Sequence, residues 1–369
     1  MSAPTDTKEA EGHGQGEIKN ANLRLVAWEI TRHCNLNCAH CRASALDQDY
    51  EGELDTPAAL RLLDQIAEVG TPIVILTGGE PLMRGDVFKL ADYGTRLGLR
   101  MVMAPNGTLV TEAVAGQMKA SGIERISISL DGATKERHDG FRGVEGAFEG
   151  ALRGIEAAKS QGIEFQINTT ISRYNYDQIP DILHLAERLG AVALHIFLLV
   201  PTGRGKYILD QAITAEEYES TLNWFYDQKK HTHLQLKATC APHYYRILRQ
   251  RAKAEGVRVT YQSHGLDAVT RGCLGGTGFC FISHTGIVQP CGFLDLNCGD
   301  VTQSSFADIW WHSEVFNNLR NFDNLKGKCG RCEYKAVCGG CRARAYEATG
   351  DYLAEEPLCS YQPRLDTRN

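Results

Sequence analysis

The chain has 369 residues, 43% hydrophobic and 23% charged, with 39 basic against 45 acidic side chains and a formal net charge of −6. This length suits one large α/β domain with a smaller appendage, and the acidic balance leaves no basic footprint for nucleic acid. No run approaches the roughly eighteen apolar residues of a membrane span, no apolar signal core opens the chain, and 13 cysteines in such a chain point to metal in a reducing cytoplasm rather than to disulfides.

Residues 1–22 are polar and glycine-containing, as expected of a flexible segment. From 23 to 206, β-rich apolar runs alternate with helical patterns, and strands are expected near 24–31, 72–77, 99–104, 125–130, 163–171 and 193–199. Amphipathic segments such as Pro57 to Val69 and Gly146 to Gln161 lie between them. Such alternation builds a parallel sheet with right-handed crossovers, and six units suit an open, partial (β/α)6 TIM-like barrel. Residues 207–265 read as a helical bridge with helices over 215–230 and 241–255, Pro242 suiting a first turn. A cysteine-rich domain follows at 266–363 and a tail at 364–369.

The chemistry-bearing motifs fall at the carboxyl ends of the expected strands, where barrel sites form. After the first strand, Cys34, Cys38 and Cys41 place three thiolates in one loop. A [4Fe-4S] cluster ordinarily takes four, so one iron would stay open to a ligand that is not protein. His33 or His40 could complete a zinc site instead, but only by bending the loop back on itself. Thr77-Gly78-Gly79-Glu80-Pro81 follows the second strand, Asn106 the third, Ser129 and Asp131 the fourth, and Val200 to Gly205 the sixth.

The three-cysteine loop and the Gly-Gly-Glu-Pro turn together resemble the radical S-adenosylmethionine (SAM) enzymes. That resemblance implies SAM chelating the open iron through its methionine end, with Glu80 and the backbone of Gly78 and Gly79 meeting the amino group. A carboxylate suits such a donor, and glycines let the backbone approach closely. It further implies SAM contacts at Asn106, Ser129, Arg142, Asn168 and Val200, and an oxygen-free setting.

The order Cys273, Gly286, Cys291, then Cys329-x2-Cys332-x5-Cys338-x2-Cys341, then Cys359 resembles the SPASM extension of that family, whose last spacing is ordinarily three residues rather than two. The resemblance implies two auxiliary [4Fe-4S] clusters, hence three clusters in all. Cys273, Cys280, Cys291 and Cys341 would hold the first, and Cys329, Cys332, Cys338 and Cys359 the second. A zinc ribbon would set its cysteine pairs about 15–20 residues apart. Cys240 and Cys298 are left over and read as buried free thiols, although Cys240, close to His243 and Arg246, could also face the substrate.

Phe165–Thr170, Leu198–Lys206, Lys237–Arg246 and Cys338–Ala345 resemble the haem-forming branch of the family. This implies oxidative decarboxylation of two propionates of iron-coproporphyrin III to vinyl groups. A 5′-deoxyadenosyl radical would remove hydrogen from the propionate β-carbon, and loss of CO2 would leave one electron for an auxiliary cluster. A small electron-donor protein is the implied partner. A tetracarboxylate porphyrin needs cationic anchors and an apolar, aromatic bed, and Arg204, Lys206, His243 and Arg246 are the candidates for propionate contacts or an axial ligand. The alternatives are the related enzyme of haem d1 synthesis, a peptide-modifying SPASM maturase, whose leader-binding N-terminal domain the short polar start argues against, and a non-catalytic Fe–S electron carrier, which needs no Glu80 turn.

Overall fold

A computed structural model describes residues 21–364; most of the expected flexible start, and all but the first residue of the tail, lie outside the described residues. The six expected strands are present as β1 (Leu25–Thr31), β2 (Ile73–Gly78), β3 (Arg100–Met103), β4 (Arg125–Ser129), β5 (Glu164–Ile171) and β6 (Ala193–Leu198). Each pairs in parallel with the next. The first crossover helix shows why these segments fold locally. Asp55 caps Thr56–Val69 by accepting from Ala58 N at 2.8 Å, Pro57 sits in its first turn, and Ala59, Leu62, Leu63 and Ile66 form its buried stripe.

The bridge at 207–265 is not purely helical. Between the helices Ala215–Gln228 and His243–Ala254 it contains β7 (Gln235–Thr239), which extends the sheet in parallel from β6. Its five residues alternate polar and apolar, a pattern too short to stand out between two helical segments.

The C-terminal region adds β8 (Phe279–Ile282), β9 (Ile287–Gln289) and β10 (Gly299–Asp300). β8 joins the other edge of β1 in parallel, and β9 and β10 follow antiparallel. The sheet therefore runs β10-β9-β8-β1-β2-β3-β4-β5-β6-β7 and stays open, with the cysteine-rich region built onto the barrel's first strand.

Successive side chains on a strand point to opposite faces. Val26, Trp28, Ile30, Val74, Leu76, Ile126, Ile128, Ile167, Ile196 and Leu236 form the core with the helices. Glu29, Ser129, Asn168, His195 and Lys237 alternate with them and face the concave side. Among the described residues no helix is long and apolar enough to cross a membrane.

Candidate active site and iron–sulfur sites

Cys34 and Cys38 are buried with Leu36, Ala45 and Ala147, and Cys41 packs against them. Backbone N–H groups already point at the sulfurs, from Leu36 to Cys34 Sγ at 3.5 Å and from Ala45 to Cys41 Sγ at 3.4 Å. Burial pushes the Cys34 thiol up to about 12, so a proton stays on it until a metal replaces it. Such a buried, N–H-lined sulfur set fits a cluster. Neither histidine turns to it. His33 Nε2 is 2.7 Å from Asp47, and His40 stacks on Phe141 with ring centres 4.2 Å apart.

The Gly78–Glu80 turn locks onto this loop. Gly79 N donates to Thr31 O at 2.8 Å and Glu80 N to His33 O at 2.8 Å. A Cβ on Gly78 would collide with Thr31 O, and one on Gly79 with the carbonyls of Arg32 and His33, so only glycine permits the approach. Glu80 is fully buried. Its carboxylate accepts from Leu82 N at 3.1 Å and from Asn106 N at 2.6 Å, while Asn106 Nδ2 donates to Asn35 at 2.7 Å. Burial outweighs these bonds and raises the Glu80 pKa to about 7, which leaves a carboxyl awaiting a cation.

Arg142 also reaches the loop. Its guanidinium lies 3.5 Å from Cys38 Sγ and 2.5 Å from Asp131. Burial opposes its charge, but Asp131 and Cys38 outweigh that and raise its pKa. Val200, two residues past β6, packs against Leu294, Cys341 and Ala343.

Sequence reasoning missed a second buried network. Glu29, on β1, is 2.9 Å from Arg42, 3.1 Å from Arg32 and 2.9 Å from His284. Burial alone would raise its pKa, yet Arg42, His284 and Arg32 hold it near 2. The available signal was an acid inside an apolar strand.

The two C-terminal cysteine sets differ. Cys329, Cys332, Cys338 and Cys359 line one pocket together with His243 and Arg246. N–H groups reach three of its sulfurs, from Tyr334 to Cys332 at 3.4 Å, from Gly340 to Cys338 at 3.5 Å, and from Glu356 to Cys329 at 3.4 Å. Cys291 packs with Cys341, and Cys273 lies within the electrostatic reach of both. Cys280, the expected fourth member, is elsewhere. It is paired in register with Val26 and buried in the main core beside Cys298 and Arg320. The cysteine that packs with Cys291 and Cys341, and near Cys273 through the Gly272–Pro242 contact, is Cys240.

Three of the four expected substrate anchors already have polar partners within the fold. Arg204 donates to Cys38 O and Ala45 O at 2.8 Å each, stapling the cysteine loop. Lys206 pairs with Glu347 at 3.1 Å. Arg246 is buried, donates to Glu219 at 2.9 Å and to Gln250 at 2.7 Å, and covers the Tyr361 ring. His243 is buried against Tyr218, and burial lowers its pKa to about 3. Segments rich in basic residues resemble ligand sites in sequence, but here Arg204, Lys206 and Arg246 satisfy carbonyls and carboxylates of the fold.

The concave face offers another set. Ser129 pairs in register with Asn168, Asn168 with His195, and His195 with Lys237, which puts four polar side chains in one row across β4 to β7. Gln166 lies 2.9 Å from His195 Nδ1. Burial, then Lys237, lower the His195 pKa to about 3, so the ring is neutral. Burial lowers the Lys237 pKa, and among the described residues no carboxylate stands within ion-pair distance of it.

Residues 28–186 match the radical SAM superfamily and residues 273–341 the SPASM iron–sulfur cluster-binding domain. A protein of Nitratidesulfovibrio vulgaris named AdoMet-dependent heme synthase is 59% identical over 96% of this chain and 97% of its own. The chain belongs to the radical SAM superfamily. It is an enzyme that carries the SPASM extension, with sites for SAM and for iron–sulfur clusters. A protein of Dinoroseobacter shibae named pre-heme d1 synthase is 33% identical over 91% of this chain and 85% of its own. In fold, the chain is similar to SuiB of Streptococcus suis solved with its precursor peptide SuiA, at 17% identity and a TM-score of 0.72, over 92% of this chain and 76% of that one.

Proposed function

We propose that this radical SAM enzyme makes haem b by oxidatively decarboxylating two propionates of iron-coproporphyrin III to vinyl groups, using three [4Fe-4S] clusters and a small electron-donor protein. The observation that carries the reading is the 59% identity, across nearly the whole of both chains, with a protein named AdoMet-dependent heme synthase. The lower identity to the pre-heme d1 synthase, 33%, ranks the haem d1 precursor second.

The chain's own residues have distinct tasks in this reading. Cys34, Cys38 and Cys41 would hold a cluster, which when bound would supply the electron for cleaving SAM. Glu80 takes the SAM ammonium, with Gly78, Gly79 and Asn106 shaping its seat; Ser129, Asn168, Arg142 and Val200 surround the rest of SAM. Glu80 suits that task because its buried carboxyl lacks a cation. Lys237 and His195 take a substrate propionate on the β6–β7 side of the same row. Gln166 donating to Nδ1 leaves the His195 proton on Nε2, a second N–H beside the ammonium for a carboxylate.

Anaerobic turnover of the reconstituted protein with SAM, reductant and iron-coproporphyrin III tests the proposal. Haem and 5′-deoxyadenosine are the expected products. Intact clusters that form 5′-deoxyadenosine but no haem would refute the substrate.

A further inference from the structure

Cys240 follows the last residue of β7 and has a φ of 54°, in the left-handed region. Among the described residues only Ser44 is another non-glycine residue with positive φ. A cysteine there costs of order 1 kcal/mol or more, and such a conformation persists only where its surroundings impose it. Here they do. The Cys240 carbonyl accepts from Tyr218 Oη at 3.1 Å and from Arg344 Nη2. Arg344 is itself buried, paired with Glu356 at 3.0 Å, and also donates to the carbonyls of Leu198 and Leu199 at 3.3 Å each.

This turn sends the Cys240 side chain toward the apolar wall of Val200, Leu294 and Ala343 that also backs Cys291 and Cys341. Cys273 reaches the same place because Gly272 lies against Pro242 so closely that a Cβ would collide with it. Four thiols from four separate segments thus gather at one apolar wall. All four belong to the chain's own fold, but Cys240 lies outside the segment that matches the SPASM domain.

Cys280 cannot take that place without rebuilding β8. Phe281, its neighbour, faces Arg42 on the concave side, with the guanidinium 4.3 Å from the ring centre, so Cys280 points into the helix-side core. Turning it round needs a one-residue slip of β8 against β1, which would move every side chain of the strand to the wrong face.

We infer that Cys240 is the fourth thiolate ligand of the first auxiliary [4Fe-4S] site, with Cys273, Cys291 and Cys341, and that Cys280 is a core residue. Ligation by Cys240 ties the barrel's last strand to the C-terminal region, so the cluster bridges the two. The inference rests on the reading that two auxiliary clusters are present, and the test separates the two claims.

The full chain carrying Cys34→Ala, Cys38→Ala and Cys41→Ala is the parent, so that only auxiliary sites bind iron. After anaerobic reconstitution, iron and sulfide content and the EPR spectrum of the reduced protein are measured. About eight irons per chain are expected in the parent. Adding Cys280→Ala should leave the count and the spectrum unchanged, whereas adding Cys240→Ala should remove one of two EPR signals and about four irons. Cys240→Ser keeps the shape of the side chain and guards against misfolding; it should retain iron but shift the g-values of that one signal. The parent's spectrum surviving in both Cys240 variants, or the signal vanishing with Cys280→Ala, overturns the inference. A parent with about four irons refutes the two-cluster reading; Cys240 is then supported if those irons leave with Cys240→Ala and overturned if they stay.

Discussion

Cys34, Cys38 and Cys41 share one loop, stapled from outside by Glu80, Asn106 and Arg204. The sulfurs of the C-terminal sets come from segments as distant in the chain as Cys240 and Cys341, brought together by the sheet and by buried Arg344. A single short loop supplies three ligands and leaves room for a small molecule at the fourth. A set gathered from several segments can close round its metal, and its cost is that tertiary packing must hold every ligand in place. The first arrangement suits chemistry at an open iron, the second storage and passage of electrons.

The comparison breaks if the two kinds of site depend on one another. Cys38→Ala is expected to reduce 5′-deoxyadenosine formation to background while about eight auxiliary irons remain; loss of all iron would show that the loop and the C-terminal sets form one unit. Arg344→Ala should act in the opposite sense. Leaving Glu356 buried and unpaired costs about 3–5 kcal/mol, to be read from denaturant unfolding of the metal-free protein, whose three-cysteine loop does not touch Arg344.

Glu80 gives the local site its own pH signature. In the protein without SAM its carboxyl titrates at about 7 when folded and 4.5 when unfolded. The favourable contribution is therefore full below pH 4.5 and lost as pH rises through 7, on the order of 3 kcal/mol in total. Unfolding midpoints between pH 4.5 and 8 should fall less steeply in Glu80→Gln, and equal slopes would show that the group does not titrate as described. Lys237→Met should sharpen the assignment of the concave row. It is expected to raise KM for the tetrapyrrole about 10- to 100-fold, the worth of one charged hydrogen bond, without changing KM for SAM; an equal effect on both would place Lys237 on the SAM side. Lys206→Ala should do least, under about 1 kcal/mol, because its pair with Glu347 is half exposed.

Six strands, their crossover helices and the three-cysteine loop were legible because each rests on neighbours in sequence. The period of apolar residues marks the strands, and Gly78 and Gly79 mark the turn that Glu80 ends. β7 was hidden because five residues carry too little pattern between two helices. The roles of Arg204 and Arg246 were misread for a different reason: a guanidinium is recognised as an anchor by its charge, while what it anchors depends on which carbonyl or carboxylate the fold brings beside it.

The amino-acid order by itself determined that this chain alternates strand and helix and keeps three thiols in one loop, since spacing along the backbone sets both. Only the tertiary structure decided that Cys240 rather than Cys280 stands with Cys273, Cys291 and Cys341, and that His195 and Lys237 share a row with Asn168. Which way a side chain points reverses with every residue of a strand, and which sulfurs meet depends on how separate segments are packed. Neither is a property of any stretch of chain read alone.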